Sequence, residues 1–141
     1  MPIVQFHLVE GQTDTQQQAE LLREASRVYA QAFDAPIERI RAFITEHPAS
    51  GFATAGEVSA VDNRHAPFFE FFAMAGRPLE QRHRVMGLFT DLLVEHLGVK
   101  REDVRGICHN VSPEDWAIAG EPASVTRAKE LAERAEAAKA R

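Results

Sequence analysis

A single cysteine in 141 residues, Cys108, leaves no pair for an internal disulfide and fits a reducing compartment. No apolar run approaches the roughly 20 residues that a membrane-spanning helix needs. The first residues carry Glu10 and no basic cluster, so no secretory signal is expected there. Positive charge is also short: 16 Lys and Arg stand against 21 Asp and Glu, a net charge of −5, with no basic stripe. That balance argues against nucleic acid and anionic membranes as partners. Six histidines are scattered without the spacing of a metal site, so neither a metal nor a cofactor is expected. The expectation is a cytoplasmic protein of one domain, 1–141, with apolar residues (45%) sufficient for a packed core.

What is present is a repeat. PIVQFHLVEGQ at 2–12 lies on PFFEFFAMAGR at 67–77, proline on proline and glycine on glycine. IRAFIT at 40–45 lies on VRGICH at 104–109, placing Arg41 on Arg105, and further along Phe52 falls on Trp116 and Gly56 on Gly120. Each half reads as strand, helix, strand. Residues 2–9 and 67–75 are rich in β-branched and aromatic side chains. Residues 16–33 and 79–97 carry helical apolar stripes, the first of them opened by an N-cap at Thr13 or Asp14. Residues 39–46 and 103–110 return as strands. The prediction is an α+β fold of two β-α-β repeats (2–60 and 67–121) about a pseudo-two-fold axis. It has a four-stranded mixed sheet, two helices on one face and a polar helical tail over 122–141. In that tail, Glu130 and Arg134 stand four residues apart, the spacing of a solvated helix face. The paired phenylalanines of 68–72 point to both faces of a central strand, so the face away from the helices is expected to meet another copy of the chain.

The repeat gives the start of the chain a meaning. If the two initial strands pair antiparallel, Pro2 comes to the turn that carries Arg77, and Pro67 to the turn that carries Gln12. Methionine ahead of proline is excised as a rule, which would leave Pro2 a free secondary amine. Apolar surroundings and a neighbouring guanidinium both disfavour its ammonium form, and so make it a base near neutral pH. Pro67 is an internal amide with no such chemistry. One corner is a candidate site and the other a relic.

These residues resemble the tautomerase superfamily, in particular its 4-oxalocrotonate tautomerase branch. PIVQFHLVEG, LLREASRVYAQAFDAPIERIRAFITE and GFATAGE are similar to its short subunit, while AGRPLEQRHRV and EDWAIAG resemble fused, double-length members such as malonate semialdehyde decarboxylase. The resemblance implies that Pro2 is the catalytic terminal proline and that Arg77 binds a substrate carboxylate. It implies that Arg41 and Arg105 match an arginine serving a neighbouring unit, and that Phe52 and Trp116 match an aromatic walling the pocket. It also implies a homotrimer. Three positions depart from the family: Gln12 replaces an arginine, Arg39 stands where the decarboxylase has an aspartate, and Ile118 stands where a hydrating dehalogenase, cis-3-chloroacrylic acid dehalogenase, has a glutamate. The expected function is cofactor-free keto–enol tautomerisation of a small 2-oxo acid. Decarboxylation or hydration of a three-carbon acid is the second reading, weakened by Arg39 and Ile118. A non-catalytic small-molecule-binding module is the third.

Overall fold

The computed structural model describes residues 2–140. The first repeat runs through β1 (Ile3–Val9), α1 (Thr15–Phe33) and β2 (Arg41–His47), then a hairpin of β3 (Ala53–Thr54) and β4 (Glu57–Val58) and a single helical turn, α2 (Ser59–Asp62). The second runs through β5 (Phe68–Met74), α3 (Leu79–Leu97) and β6 (Arg105–Val111), then β7 (Ala117–Ile118), β8 (Glu121–Pro122) and α4 (Ala123–Thr126). A last helix, α5 (Ala128–Lys139), follows. Among the described residues no helix is long and apolar enough to cross a membrane.

The sheet order is β2-β1-β5-β6, with β1 and β5 antiparallel at the centre and each parallel to the second strand of its own repeat. Backbone hydrogen bonds repeat with the sequence: Arg41 N–H donates to the Pro2 carbonyl and Arg105 N–H to that of Pro67, at 3.0 and 3.2 Å. α1 starts on a capping box, in which the Asp14 side chain accepts from the Gln17 N–H and the Gln17 side chain accepts from the Asp14 N–H.

Alternation along the strands sorts two faces. Val4, Phe6 and Leu8 of β1, with Phe69, Phe71 and Ala73 of β5, are buried beneath both long helices, packed on Leu21, Tyr29, Phe33, Phe89 and Leu93. Cys108 points the same way, half-buried at the margin of this core, and burial raises its thiol pKa. Two neighbouring pairs show how the repeats diverged without breaking the layer: Ala42 pairs with Val4, whereas Gly106 pairs with Phe69. A Cβ on Gly106 would collide with the Phe69 ring, so the larger residue on one strand required the smaller one on its neighbour.

The second strands begin two residues later than the sequence pattern predicts. Pro36 holds the chain extended, and Ile37–Arg39 closes a 3-10 turn; Arg101–Asp103 does the same in the second repeat. This takes Arg39 out of the sheet, with consequences for the site below.

The face away from the helices sets a polar cluster among its apolar groups. Phe68 and Phe72 flank Glu70, whose carboxylate meets His7 Nε2 at 2.7 Å and His109 Nε2 at 3.0 Å, while His7 Nδ1 meets His47 Nε2 at 2.9 Å. Phe43 and Ile107 stand half-exposed at either side. His7, then His109, hold the Glu70 carboxyl below its ordinary value of 4.5. A carboxylate with a depressed folded-state pKa stabilises the fold above its unfolded value and ceases to do so as pH falls through the folded one. Melting temperature should therefore drop on acidification below about pH 4.5, and Glu70→Gln should lower it at pH 7 while flattening that acid dependence. The group is partly solvated, so the effect is modest; a Glu70→Gln profile parallel to wild type would remove Glu70 from the account.

Candidate active site

Pro2 is buried at the head of β1. Its position is set from both sides: its own carbonyl accepts from Arg41 N–H, and the Tyr29 hydroxyl reaches the carbonyls of Ile3 (3.4 Å) and Phe72 (2.5 Å), tying the central strands together beside it. Burial above all raises the Tyr29 pKa far beyond the ordinary phenol range, so it serves as a neutral donor. The start of the first strand is thus held rather than frayed.

Arg77 stands at the turn after β5, on the same cavity as Pro2. Its Nη1 donates to the Phe33 carbonyl at the end of α1, and its guanidinium lies over the Phe33 ring, 4.6 Å from the centroid. Gln81 Oε1 is 3.5 Å away. Among the described residues no carboxylate lies within ion-pair distance of Arg77. Burial, and then the neighbouring Arg134, lower its pKa to about 10, so it is still charged at neutral pH but poorly solvated. A half-buried guanidinium with a carbonyl behind it and, among the described residues, no anion in front is ready to take a carboxylate.

Arg39, Arg127 and Arg134 line the same cavity with Glu130, an excess of three positive charges once Arg77 is included. Arg39 and Glu130 form a bidentate pair, Nη1 to Oε2 and Nη2 to Oε1, both at 2.8 Å. Arg134 approaches the same carboxylate at 3.7 Å. The hydrogen bonds from Arg39 pull the Glu130 carboxyl down to about 2, and Glu130 raises the Arg39 pKa in return. Burial lowers the pKa of Arg134. The enclosed space is about 20 Å³, room for a water and little else.

The opposite corner has none of this. Pro67 is fully buried but lies within the chain, and Gln12 replaces the arginine. The counterpart of Arg39 there is Asp103, which pairs with Arg64 at 2.5 Å. Where the Pro2 corner gathers four guanidinium groups, the Pro67 corner pairs Arg64 with Asp103 and adds only Arg105.

The other site residues expected from sequence are distributed differently. Arg41 and Arg105 head the edge strands on the open sheet face, with their Nη1 atoms on the carbonyls of Glu38 and Ile40, and of Glu102 and Val104. Neither lines the Pro2 cavity within the protomer. Trp116 is buried against Met74 and edge-on to Phe72 at 6.2 Å, and it lines a shallow hollow with Ile3 and Phe72 on the open face. Phe72 also walls the Pro2 cavity, so one ring separates Trp116 from Pro2. Phe52 lies at the Pro67 corner, beside Arg105.

Four cavity residues escaped the sequence reading. Arg39 was legible only as a departure from a relative's pattern. Arg127, Glu130 and Arg134 sit in a tail that composition alone presents as solvated. Glu130 instead faces Arg39, 91 positions away in sequence. A signal was available: positions 127, 130, 131 and 134 share one helical face, and Leu131 on that face packs against the cluster around Trp116.

A duplicated β-α-β sheet with a proline heading its first strand and an arginine at the same corner defines a class, and comparison with known proteins agrees. The model of the tautomerase enzyme family matches residues 2–62 and again 67–125, and the chain belongs to that family. It is 44% identical over 64 residues to a 2-hydroxymuconate tautomerase of Pseudomonas putida, covering 45% of this chain and 100% of that one. A second 2-hydroxymuconate tautomerase, from Pseudomonas sp. strain CF600, is 46% identical over 57 residues, 40% of this chain and 89% of the relative. This chain is therefore the double-length form of a short tautomerase subunit. Among solved structures it is similar to a native fused 4-OT (TM-score 0.79, 24% identity, 86% of this chain and 95% of that one). It is also similar to Pt0534 inactivated by 2-oxo-3-pentynoate (TM-score 0.80, 23% identity, 86% and 97%). A fused 4-OT described as a symmetric trimer superimposes at TM-score 0.79 with 24% identity, over 88% of this chain and 98% of that one.

Proposed function

We propose that this tautomerase interconverts enol and keto forms of a small 2-oxo acid, with the amine of Pro2, freed by loss of the initiator methionine, as general base and acid. The observation that carries the reading is the shared cavity: Pro2 and a half-buried Arg77, which has no carboxylate partner among the described residues, line one enclosed, positively charged space. Arg77 holds the substrate carboxylate. The Pro2 nitrogen takes the proton from the enol oxygen and returns it to the far carbon of the conjugated system, so the double bond moves without net gain or loss of atoms. Four guanidinium groups keep the amine neutral and ready. 2-Hydroxymuconate, the substrate named for the relatives, and phenylenolpyruvate are the compounds to try first. The test is ketonisation followed by ultraviolet absorbance, on the processed chain and on one with an added N-terminal residue.

The active form in this reading is a homotrimer, as in the fused 4-OT trimer. The open face with Phe43, Ile107 and the half-buried Phe68 and Phe72 supports it, because apolar groups of that size in one layer favour a partner surface. A trimer also gives Arg41, Arg105 and Phe52 a role, at a neighbour's Pro2 site, where an arginine would polarise the oxo oxygen as charge develops. Trp116, already one ring away, would exclude water from its own. Sedimentation at micromolar concentration should give three times the 15.7 kDa chain mass. A stable, active monomer would rule the arrangement out.

A further inference from the structure

α5 begins after the last residue of the family match, yet it supplies two of the charged groups that close the Pro2 cavity, and Arg127 at its start adds a third. With α5 in place the cavity is too small for any organic acid, at about 20 Å³. On the far side of Arg77 and Arg134, a groove of about 350 Å³ runs between the Gly76–Pro78 turn and the end of α5, along Ala137 and Ala138. The same two arginines thus face an outer groove and an inner cavity, and α5 forms a wall of both. The contact that closes the inner one is made by a carboxylate. Glu130 offers both oxygens to both terminal nitrogens of Arg39, the geometry a ligand carboxylate takes on a guanidinium.

We propose that Glu130 is a tethered carboxylate holding, on Arg39, the place of the second carboxylate of a dicarboxylate substrate whose first is held by Arg77, which makes α5 a lid that admits only anions able to displace it. The inference rests on the reading of Pro2 as a reactive amine, but the latch itself can be tested apart from that chemistry. An anion entering from the groove passes Arg134 and Arg77. It then competes with Glu130 for Arg39 and releases the helix from the cavity. Leu131, packed on the cluster around Trp116, keeps the freed helix near the site.

Two readouts separate the latch from the chemistry. Hydrogen exchange of amides 128–139 reports release of α5. The rate of covalent labelling by 2-oxo-3-pentynoate reports access to Pro2, since a neutral amine adds to the triple bond of this ketone and its proton passes to the adjacent carbon. Glu130→Gln should speed both, by roughly three- to tenfold for loss of one bidentate ion pair. Arg39→Gln should loosen α5 as much without speeding labelling, because it removes a guanidinium that attracts the anion. In the wild type, cis,cis-muconate at concentrations that protect Pro2 from labelling should raise exchange across α5, and in Glu130→Gln it should add little.

Unchanged α5 exchange in Glu130→Gln, or in muconate-protected wild type, overturns the latch. Loosened exchange with labelling at the wild-type rate overturns the lid, leaving α5 a packing element. No labelling in any variant, with α5 loosened by Glu130→Gln, overturns the reading of Pro2 and still supports the latch.

Discussion

A chain carrying one extra residue ahead of Pro2 should lose ketonisation by about 10²- to 10⁴-fold, the range that a positioned general base contributes. The change converts a basic secondary amine into an amide, which has no proton affinity to offer near neutral pH. Little else is disturbed, because Pro2 is anchored through its carbonyl to Arg41 and its neighbour Ile3 through the Tyr29 hydroxyl. Melting temperature should accordingly stay close to that of the processed chain, and the extended chain should fail to take up 2-oxo-3-pentynoate at its N-terminal peptide. In the processed chain, turnover should rise with pH through the deprotonation of Pro2, with an apparent pKa below the roughly 8 of an ordinary terminal amine. The cause is the crowd of guanidinium groups on the cavity wall, led in burial by Arg77. Full activity in the extended chain would mean that another group carries the proton, and among the described residues of the cavity only Glu130 could do so. Glu130, held by Arg39 at a pKa of about 2, is a poor base.

Much of this was legible before any coordinates, and the reason is the duplication. Two copies of a pattern constrain each other: the proline–glycine frame of 2–12 on 67–77 fixes which strands pair, and antiparallel pairing of β1 and β5 then brings Pro2 to the Arg77 turn. Pairwise logic of that kind reaches only residues that have a counterpart. Arg127, Glu130 and Arg134 have none, because α5 follows the second repeat once and the first not at all. Their partners were also set by tertiary packing. Arg39 enters the cavity because the 3-10 turn after Pro36 lifts it out of the strand in which its alternation with Arg41 would place it. The polar cluster on the open face was hidden for a related reason. Four phenylalanines around one glutamate look apolar by composition, but Glu70 finds His7 on β1 and His109 on β6, and cross-strand pairs between different strands leave no trace in the local sequence.

The two corners offer the most discriminating experiment, because they share a fold and differ in chemistry. Arg77→Ala should remove most turnover with 2-oxo acid substrates, a loss of several kcal/mol in transition-state stabilisation, since a carboxylate taken into a closed cavity would be left without its paired charge. Part of that loss should appear in KM, as anion binding weakens. Part should appear in kcat, as the substrate sits out of line with the Pro2 nitrogen. Stability should change less than activity. Arg77 contributes a hydrogen bond to the Phe33 carbonyl and a contact with its ring, but its partial burial with no carboxylate partner among the described residues opposes folding, and removing it relieves that cost. Gln12→Ala, at the equivalent turn of the first repeat, should leave turnover nearly unchanged, because Pro67 has no free amine and Asp103 already neutralises Arg64 at that corner. Pro67→Ala should likewise spare turnover, with a stability loss that combines the lost packing of a fully buried side chain with a freer unfolded chain. A packing defect spread through the sheet would penalise both corners alike, whereas a single catalytic corner answers only to Arg77. Equal damage from Gln12→Ala and Arg77→Ala would therefore end the one-site description, and with it the pairing of Pro2 with the second repeat.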